Sequence, residues 1–233
     1  LIALRGFKDT QCGFKLFNED FVMRIGLDLD GTIITCKEKH CILMEVITKA
    51  YGLEFCKEQY WKDKRSGLNN TESLMRQGVA WNAAEKVNNT WTASVENIEW
   101  ANFDSVLKGA FDSMVRLREQ GHSLHLISSR NNVTNAFIQL QALGIKSFFN
   151  TTNFVTSASG LIKSDYFNRL NIDCYIGDTE VDYKESRKSN ISFYPVITGM
   201  RSKVFFVNLG LNEVLNITLE QFLERRHNDQ KTR

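Results

Sequence analysis

Two carboxylates, Asp28 and Asp30, close an apolar run that reads Arg24-Ile25-Gly26-Leu27-Asp28-Leu29-Asp30-Gly31-Thr32. A strand repeats its side-chain direction every two residues, so the pair leaves the same side of it. Gly31 beside them lets the backbone turn and come close to a ligand. Two like charges crowded at a strand end repel, and a cation or a shared proton relieves that. Polar groups end two other hydrophobic runs. Ser128-Ser129-Arg130 follows residues 124–127, and Asp178-Thr179-Glu180-Val181-Asp182 follows Cys174-Tyr175-Ile176-Gly177, with Lys163 on the segment before it. A lone Asp-x-Asp-Gly is equally a buried strand ended by Asp and a turn. The repetition of polar endings is what points to chemistry.

The elements that must position these groups follow from hydrophobic periodicity. Residues 21–29 form a nearly continuous apolar strand of the kind a buried parallel sheet wants. From 39 to 101 the pattern is helical, with Ile42, Val46 and Ala50 at helical spacing and no strand in evidence. An amphipathic helix is expected over 103–121, a strand over 124–130 and a helix over 133–143. Short strands at 154–156, 174–176 and 193–197 alternate with helices near 161–170 and 180–189. Residues 204–207 read as strand or helix, 214–217 as a last strand and 219–225 as a closing helix. This alternation predicts an α/β fold, a doubly wound, mostly parallel sheet with helices on both faces. Ligands in such sheets bind beyond the carboxyl ends of the strands, where these polar residues gather.

The chain has 233 residues, 42% of them hydrophobic, which suffices for one α/β core carrying an insertion. We read 21–38 and 102–226 as that core, 39–101 as the helical insertion, 1–20 as a leader with Met23 a natural start, and 227–233 as a polar tail. With 29 basic and 27 acidic residues, the net charge of +2 gives no argument for nucleic acid or an anionic membrane. No run reaches the ~20 apolar residues of a membrane span. The five cysteines, at 12, 36, 41, 56 and 174, show no CxxC spacing, so reduced thiols in the cytoplasm are expected. The histidines at 40, 122, 125 and 227 lack metal-ligand spacing. Converging carboxylates are costly without a cation, and hard oxygen ligands suit Mg²⁺ together with phosphate oxygens.

In order along the chain, these residues resemble the four motifs of the haloacid dehalogenase superfamily of phosphohydrolases. Asp28-Leu29-Asp30-Gly31-Thr32 resembles the first, Ser128 the second, Lys163 the third and Gly177-Asp178-x-x-x-Asp182 the fourth. The resemblance covers about 23–226, and the stretch after 177 is similar to phosphoglycolate-phosphatase-like members. One departure is Ser164 after Lys163, where the family often has proline. The resemblance implies a Rossmann-like core with a helical cap of the first type, and hydrolysis of a small phosphomonoester through an aspartyl phosphate. Asp28 would be the nucleophile and Asp30 the general acid and base, with a pKa raised by its neighbours. Asp28, Asp30, Asp178 and Asp182 would hold Mg²⁺. Gly31, Thr32, Ser128, Ser129 and Lys163 would bind the phosphoryl group.

Other readings compete. A sugar phosphomutase or nucleotide phosphatase would share the motifs. A phosphorylated receiver-type switch also uses an acidic cluster and a Lys, but on a shorter chain without the insertion. An inactive binding module sits poorly with four intact Asp residues. Lys64 and Arg65, in the basic and aromatic stretch Tyr60-Trp61-Lys62-Asp63-Lys64-Arg65, either clamp a substrate or form a solvated helix face. Arg130 reaches substrate or caps a helix. Trp81, Trp91 and Trp100 read as core of the insertion. The expected partner is a small phosphorylated metabolite, and the sequence is silent on oligomeric state.

Overall fold

The computed structural model describes residues 22–211. Among these residues five strands run parallel: β1 (Arg24–Leu27), β2 (Ser123–Ser129), β3 (Thr151–Val155), β4 (Cys174–Gly177) and β5 (Ser192–Pro195), in the order β3-β2-β1-β4-β5. β1 is central, with Ile25 opposite Leu124 on one side and Cys174 on the other. Six helices lie between β1 and β2: α1 (Lys37–Ala50), α2 (Lys57–Arg65), α3 (Asn70–Arg76), α4 (Trp81–Ser94), α5 (Ile98–Ala101) and α6 (Ala110–Glu119). The remainder are α7 (Val133–Ala142), α8 (Lys163–Leu170), α9 (Glu180–Lys188) and α10 (Lys203–Asn208). None of the helices of the described residues is long and apolar enough to cross a membrane.

Alternation along the strands builds two layers. Ile25, Leu27, Leu124, Leu126, Cys174 and Ile176 point into one core with α6 and α7 residues such as Met114, Leu117 and Leu140. Ile127 and Tyr175 point to the opposite face and pack on Phe167 of α8. Gly26 leaves room there, since a Cβ on it would meet the Tyr175 ring at 2.6 Å. Asp28 shares the parity of Gly26, so it emerges on the Tyr175 side.

The insertion has its own core, made by Leu43, Met44 and Ile47 of α1, Tyr60 of α2, Leu74 of α3, and Ala84 and Val87 of α4. Trp91 and Trp100 pack against it as expected. Trp81 does not, and is 54% exposed.

Several boundaries differ from the sequence reading. The helix expected from 103 begins only at Ala110, after Gly109 in the left-handed region at φ 78°. The residues before it run beside the segment after β1: Thr35 donates its amide to Ser105 and Leu107 donates to Ile33, at 2.8 and 2.9 Å. Apolar spacing in Val106 and Leu107 thus reflects packing on the core from an extended segment. The first strand is shorter than 21–29, because the amides of Thr32, Ile33 and Ile34 turn back to the Leu29 carbonyl. Residues 204–207 are helical, within α10. The leader, the strand over 214–217, the helix over 219–225 and the tail lie outside the described residues.

Candidate active site

The site grows from β1 and its two neighbours. Pairing continues one residue past β1, where the Asp28 amide donates to the Ile176 carbonyl at 3.0 Å. Lys163 opens α8, and its buried ammonium donates to Asp28 Oδ1 at 2.7 Å, to Asp182 Oδ1 at 2.6 Å and to the Tyr175 hydroxyl at 3.0 Å. Tyr175 in turn donates to the Ile127 carbonyl at 2.5 Å. Asp182 is fixed by the start of α9, in a capping box with Thr179. Its Oδ2 accepts from the Thr179 amide at 3.1 Å and hydroxyl at 2.7 Å. Asp178 follows β4 and accepts the Met200 amide on Oδ2 at 2.6 Å.

Oxygens of Asp28, Asp178 and Asp182 lie within 4.8 Å of one another, and all three residues are buried. Burial pushes the Asp28 carboxyl up to about 6, against the pull of Lys163 and with a further push from Asp182. Burial, then Asp28 and Asp182, drive Asp178 well above the usual carboxylate range. The same carboxylates hold the Lys163 ammonium well above its ordinary value despite burial. Three carboxylates facing one ammonium form an all-oxygen donor set with excess negative charge, which fits a hard divalent cation such as Mg²⁺. Two glycines keep room for the Asp178 carboxylate itself. A Cβ on Gly31 or Gly199 would run into the Asp178 carboxylate, and Gly31 has a φ of 74°.

A second polar cluster surrounds Asp30. Arg130 Nη2 lies 2.6 Å from Asp30 Oδ2, and Lys39 of α1 donates to Asp30 Oδ1 at 3.1 Å. Lys39 also bonds Asp104, whose Oδ2 accepts Gln139 Nε2 at 2.8 Å. Burial alone would raise the Asp30 pKa, but Arg130 and Lys39 outweigh it and hold the carboxyl well below the usual range. This corrects the raised value expected from sequence, because the close neighbours of Asp30 are cations and the carboxylates lie farther off. His40 Nδ1, Asp104 Oδ1, Arg130 Nε and Thr32 Oγ1 are buried without a hydrogen-bond partner.

The other expected residues divide. The Gly31 amide closes the turn onto Ile34 at 2.7 Å, and the Thr32 amide bonds Leu29 at 3.3 Å. Ser128 is buried at the end of β2, while Ser129 is exposed. Lys64 and Arg65 serve the protein itself. Lys64 donates to Asn70 Oδ1 at 3.0 Å, and burial followed by Arg201 pushes it down to about 8. Arg65 donates to the carbonyls of Gly199 and Ile197 at 2.8 and 3.0 Å.

Sequence reasoning missed Tyr175, Lys39, Asp104 and Gln139. Two of them carried a signal. Lys39 stands on the face of α1 that Leu43 and Ile47 bury, where an ammonium needs an anion. Tyr175 lies in a fully buried strand, where its hydroxyl needs a partner.

The sequence pattern of the haloacid dehalogenase-like hydrolase family matches residues 25–196. No curated protein matches the chain in sequence. Solved structures do match in fold. A haloacid dehalogenase-like family hydrolase from Streptococcus pneumoniae shares 15% identity at a TM-score of 0.65, over 80% of this chain and 90% of that one. A "putative phosphoglycolate phosphatase" from Lactobacillus delbrueckii shares 18% at 0.67, over 88% and 98%. A "predicted phosphatase" from Clostridium acetobutylicum shares 18% at 0.62, over 88% and 100%.

Proposed function

The chain belongs to the haloacid dehalogenase-like hydrolases, and from that premise we propose that it is a Mg²⁺-dependent phosphatase acting on a small phosphomonoester through an aspartyl-phosphate intermediate. The observation that carries this reading is the meeting of Asp28, Lys163, Asp178 and Asp182 at the ends of β1 and β4.

Asp28 is the nucleophile. Lys163 holds its Oδ1 at 2.7 Å, which leaves Oδ2 to form the bond to phosphorus as the ester P–O bond breaks. Lys163 and Ser128 take the phosphoryl oxygens. Asp28 and Asp178, with the Asp30 carbonyl, would hold Mg²⁺, which would supply charge stabilisation to the transferring phosphoryl group. Asp182 fixes Lys163 with Oδ1 and the start of α9 with Oδ2, and completes the acidic set that would meet the cation.

Asp30 moves the proton. In the second half of the reaction, water attacks phosphorus of the acyl phosphate as the P–O bond to Asp28 breaks, which frees phosphate and restores the Asp28 carboxylate. The water gives its proton to the Asp30 carboxylate, the form that Arg130 and Lys39 favour. In the first half Asp30 delivers a proton to the leaving oxygen, which requires these cations to loosen. An Asp here is what a leaving alkoxide needs and a leaving halide does not. α1 to α5 act as a cap, from which Lys39 of α1 reaches Asp30. Among the described residues, the free thiols of Cys36, Cys41 and Cys56 support a reducing compartment such as the cytoplasm.

The test is phosphate release from a panel of phosphorylated metabolites and an aryl phosphate. Release is expected with Mg²⁺, to stop with EDTA and to return with added Mg²⁺. Asp28→Asn is expected to fall to background with an unchanged circular dichroism spectrum. Parental rates in Asp28→Asn would remove the nucleophile.

A further inference from the structure

The end of α2 is fastened to residues 197–202, a segment of the sheet domain, by bonds in both directions. Arg65 closes α2, and its two terminal nitrogens donate to the Gly199 and Ile197 carbonyls at 2.8 and 3.0 Å. The Ser202 amide returns a bond to the Arg65 carbonyl at 3.0 Å. Arg201 Nη1 donates to the Lys64 carbonyl at 2.7 Å. Those carbonyls belong to the last turn of a helix, where a cation is favoured, and that of Lys64 also accepts the Gly67 amide at 3.2 Å. Arg201 is anchored from behind by Glu180 of α9, with Nε on Oε2 at 2.6 Å and Nη2 on Oε1 at 2.7 Å. It also lies over the Phe205 ring, against which Gly67 packs so closely that a Cβ would collide.

The segment held in this way reaches the acidic cluster. Met200, between the two carbonyls that Arg65 grips and the Arg201 that grips α2, gives its amide to Asp178 Oδ2 at 2.6 Å. Thr198 donates to the Gly31 carbonyl at 2.5 Å. Gly199 leaves the room that the Asp178 carboxylate fills.

We propose that Arg65 and Arg201 are positioning residues for Asp178: by docking the end of α2 on residues 197–202 they set the Met200 amide that orients this carboxylate. Movement of the α2 end away from the sheet and loosening of Asp178 are then one event, so the metal site is fully formed only while the helical insertion is docked. The inference rests on the preceding reading in taking Asp178 as a metal ligand. Partners behind metal ligands typically change metal affinity ~10–100-fold when removed. Lysine at 65 keeps the charge but loses the fork that spans two carbonyls.

Two measurements on the full chain test it. In hydrogen exchange without added metal, Arg65→Ala and Arg201→Ala are expected to exchange the Met200 amide about tenfold faster or more, with β1 and β2 unchanged. Parental protection of Met200 in both would overturn the docking role. In calorimetric titration with Mg²⁺, both variants are expected to bind at least about tenfold more weakly than the parent, and equal affinity would overturn the coupling. A parent that takes up no Mg²⁺ overturns the metal assignment and this inference together. Parental binding with unaltered variants overturns only the inference. Should Arg65→Ala not fold, Arg65→Lys carries both measurements, with the same direction expected.

Discussion

Asp30 sits between two cations, and one of them is shared. Lys39, whose side chain is 2% exposed, lies between Asp30 and the fully buried Asp104. Removing one partner of a buried pair leaves an uncompensated charge, at a cost of about 3–5 kcal/mol, whereas replacing both by apolar groups is often neutral. Lys39→Met is therefore expected to lose stability on that scale in urea unfolding, and Lys39→Met/Asp104→Leu to recover most of it. A double variant as unstable as the single would show that Asp104 was not what Lys39 compensates. At this scale the sequence was legible where a residue type announces its chemistry. Asp28, Asp178, Asp182 and Lys163 meet. The environment of Asp30 was not legible, because Arg130 and Asp104 reach it from remote segments and only the fold sets their distance. Arg65 shows the same limit: a basic residue beside aromatics reads as a substrate clamp or as a solvated helix face, and its grip on two backbone carbonyls is set only by the fold.

The turn after β1 depends on a glycine for two separate reasons. Gly31 has a left-handed φ of 74°, and a Cβ there would also lie 2.6 Å from Gly199 Cα. Gly52 after α1 has a similar φ of 67° with nothing within 4 Å. Alanine at either position bears the left-handed strain of about 1–2 kcal/mol. Gly31→Ala must in addition displace residue 199 and the Asp178 carboxylate. It is expected to be the more destabilised of the two in thermal unfolding, and the only one to lose phosphatase activity. Equal losses would mean that the contact with residue 199 relaxes freely. The helices of the insertion were legible from their 3.6-residue period. The segment before α6 was not, because Val106 and Leu107 continue the apolar spacing of the helix although they pair with Ile33 and Ile34. Periodicity reports burial, and burial is common to both conformations.

Across the whole molecule, the acidic cluster opposes folding until its charge is met. A ligand that binds only the folded chain stabilises it by about 2.7 kcal/mol at a hundred times its Kd. Mg²⁺ is thus expected to raise Tm by several degrees in calorimetry. Asp178→Asn is expected to melt above the metal-free parent and to lose the Mg²⁺ response. A metal-free Asp178→Asn that melts lower and still responds would contradict the assignment of the cation to this carboxylate. The parallel sheet and its doubly wound helices were legible from the alternation of strands and helices. The order β3-β2-β1-β4-β5 was not, since pairing depends on contacts between residues far apart in the chain.

That order has a consequence for biosynthesis. Of the described strands, the central one, β1, leaves the ribosome first, and its two flanks arrive with residues near 124 and near 174. Translation must therefore run past β4 before the nucleophile has its full surroundings. Until then the nascent chain carries an unzipped sticky strand with Asp28 at its end, and a stalled or truncated product lacking residue 178 is expected to be both inert and prone to clumping.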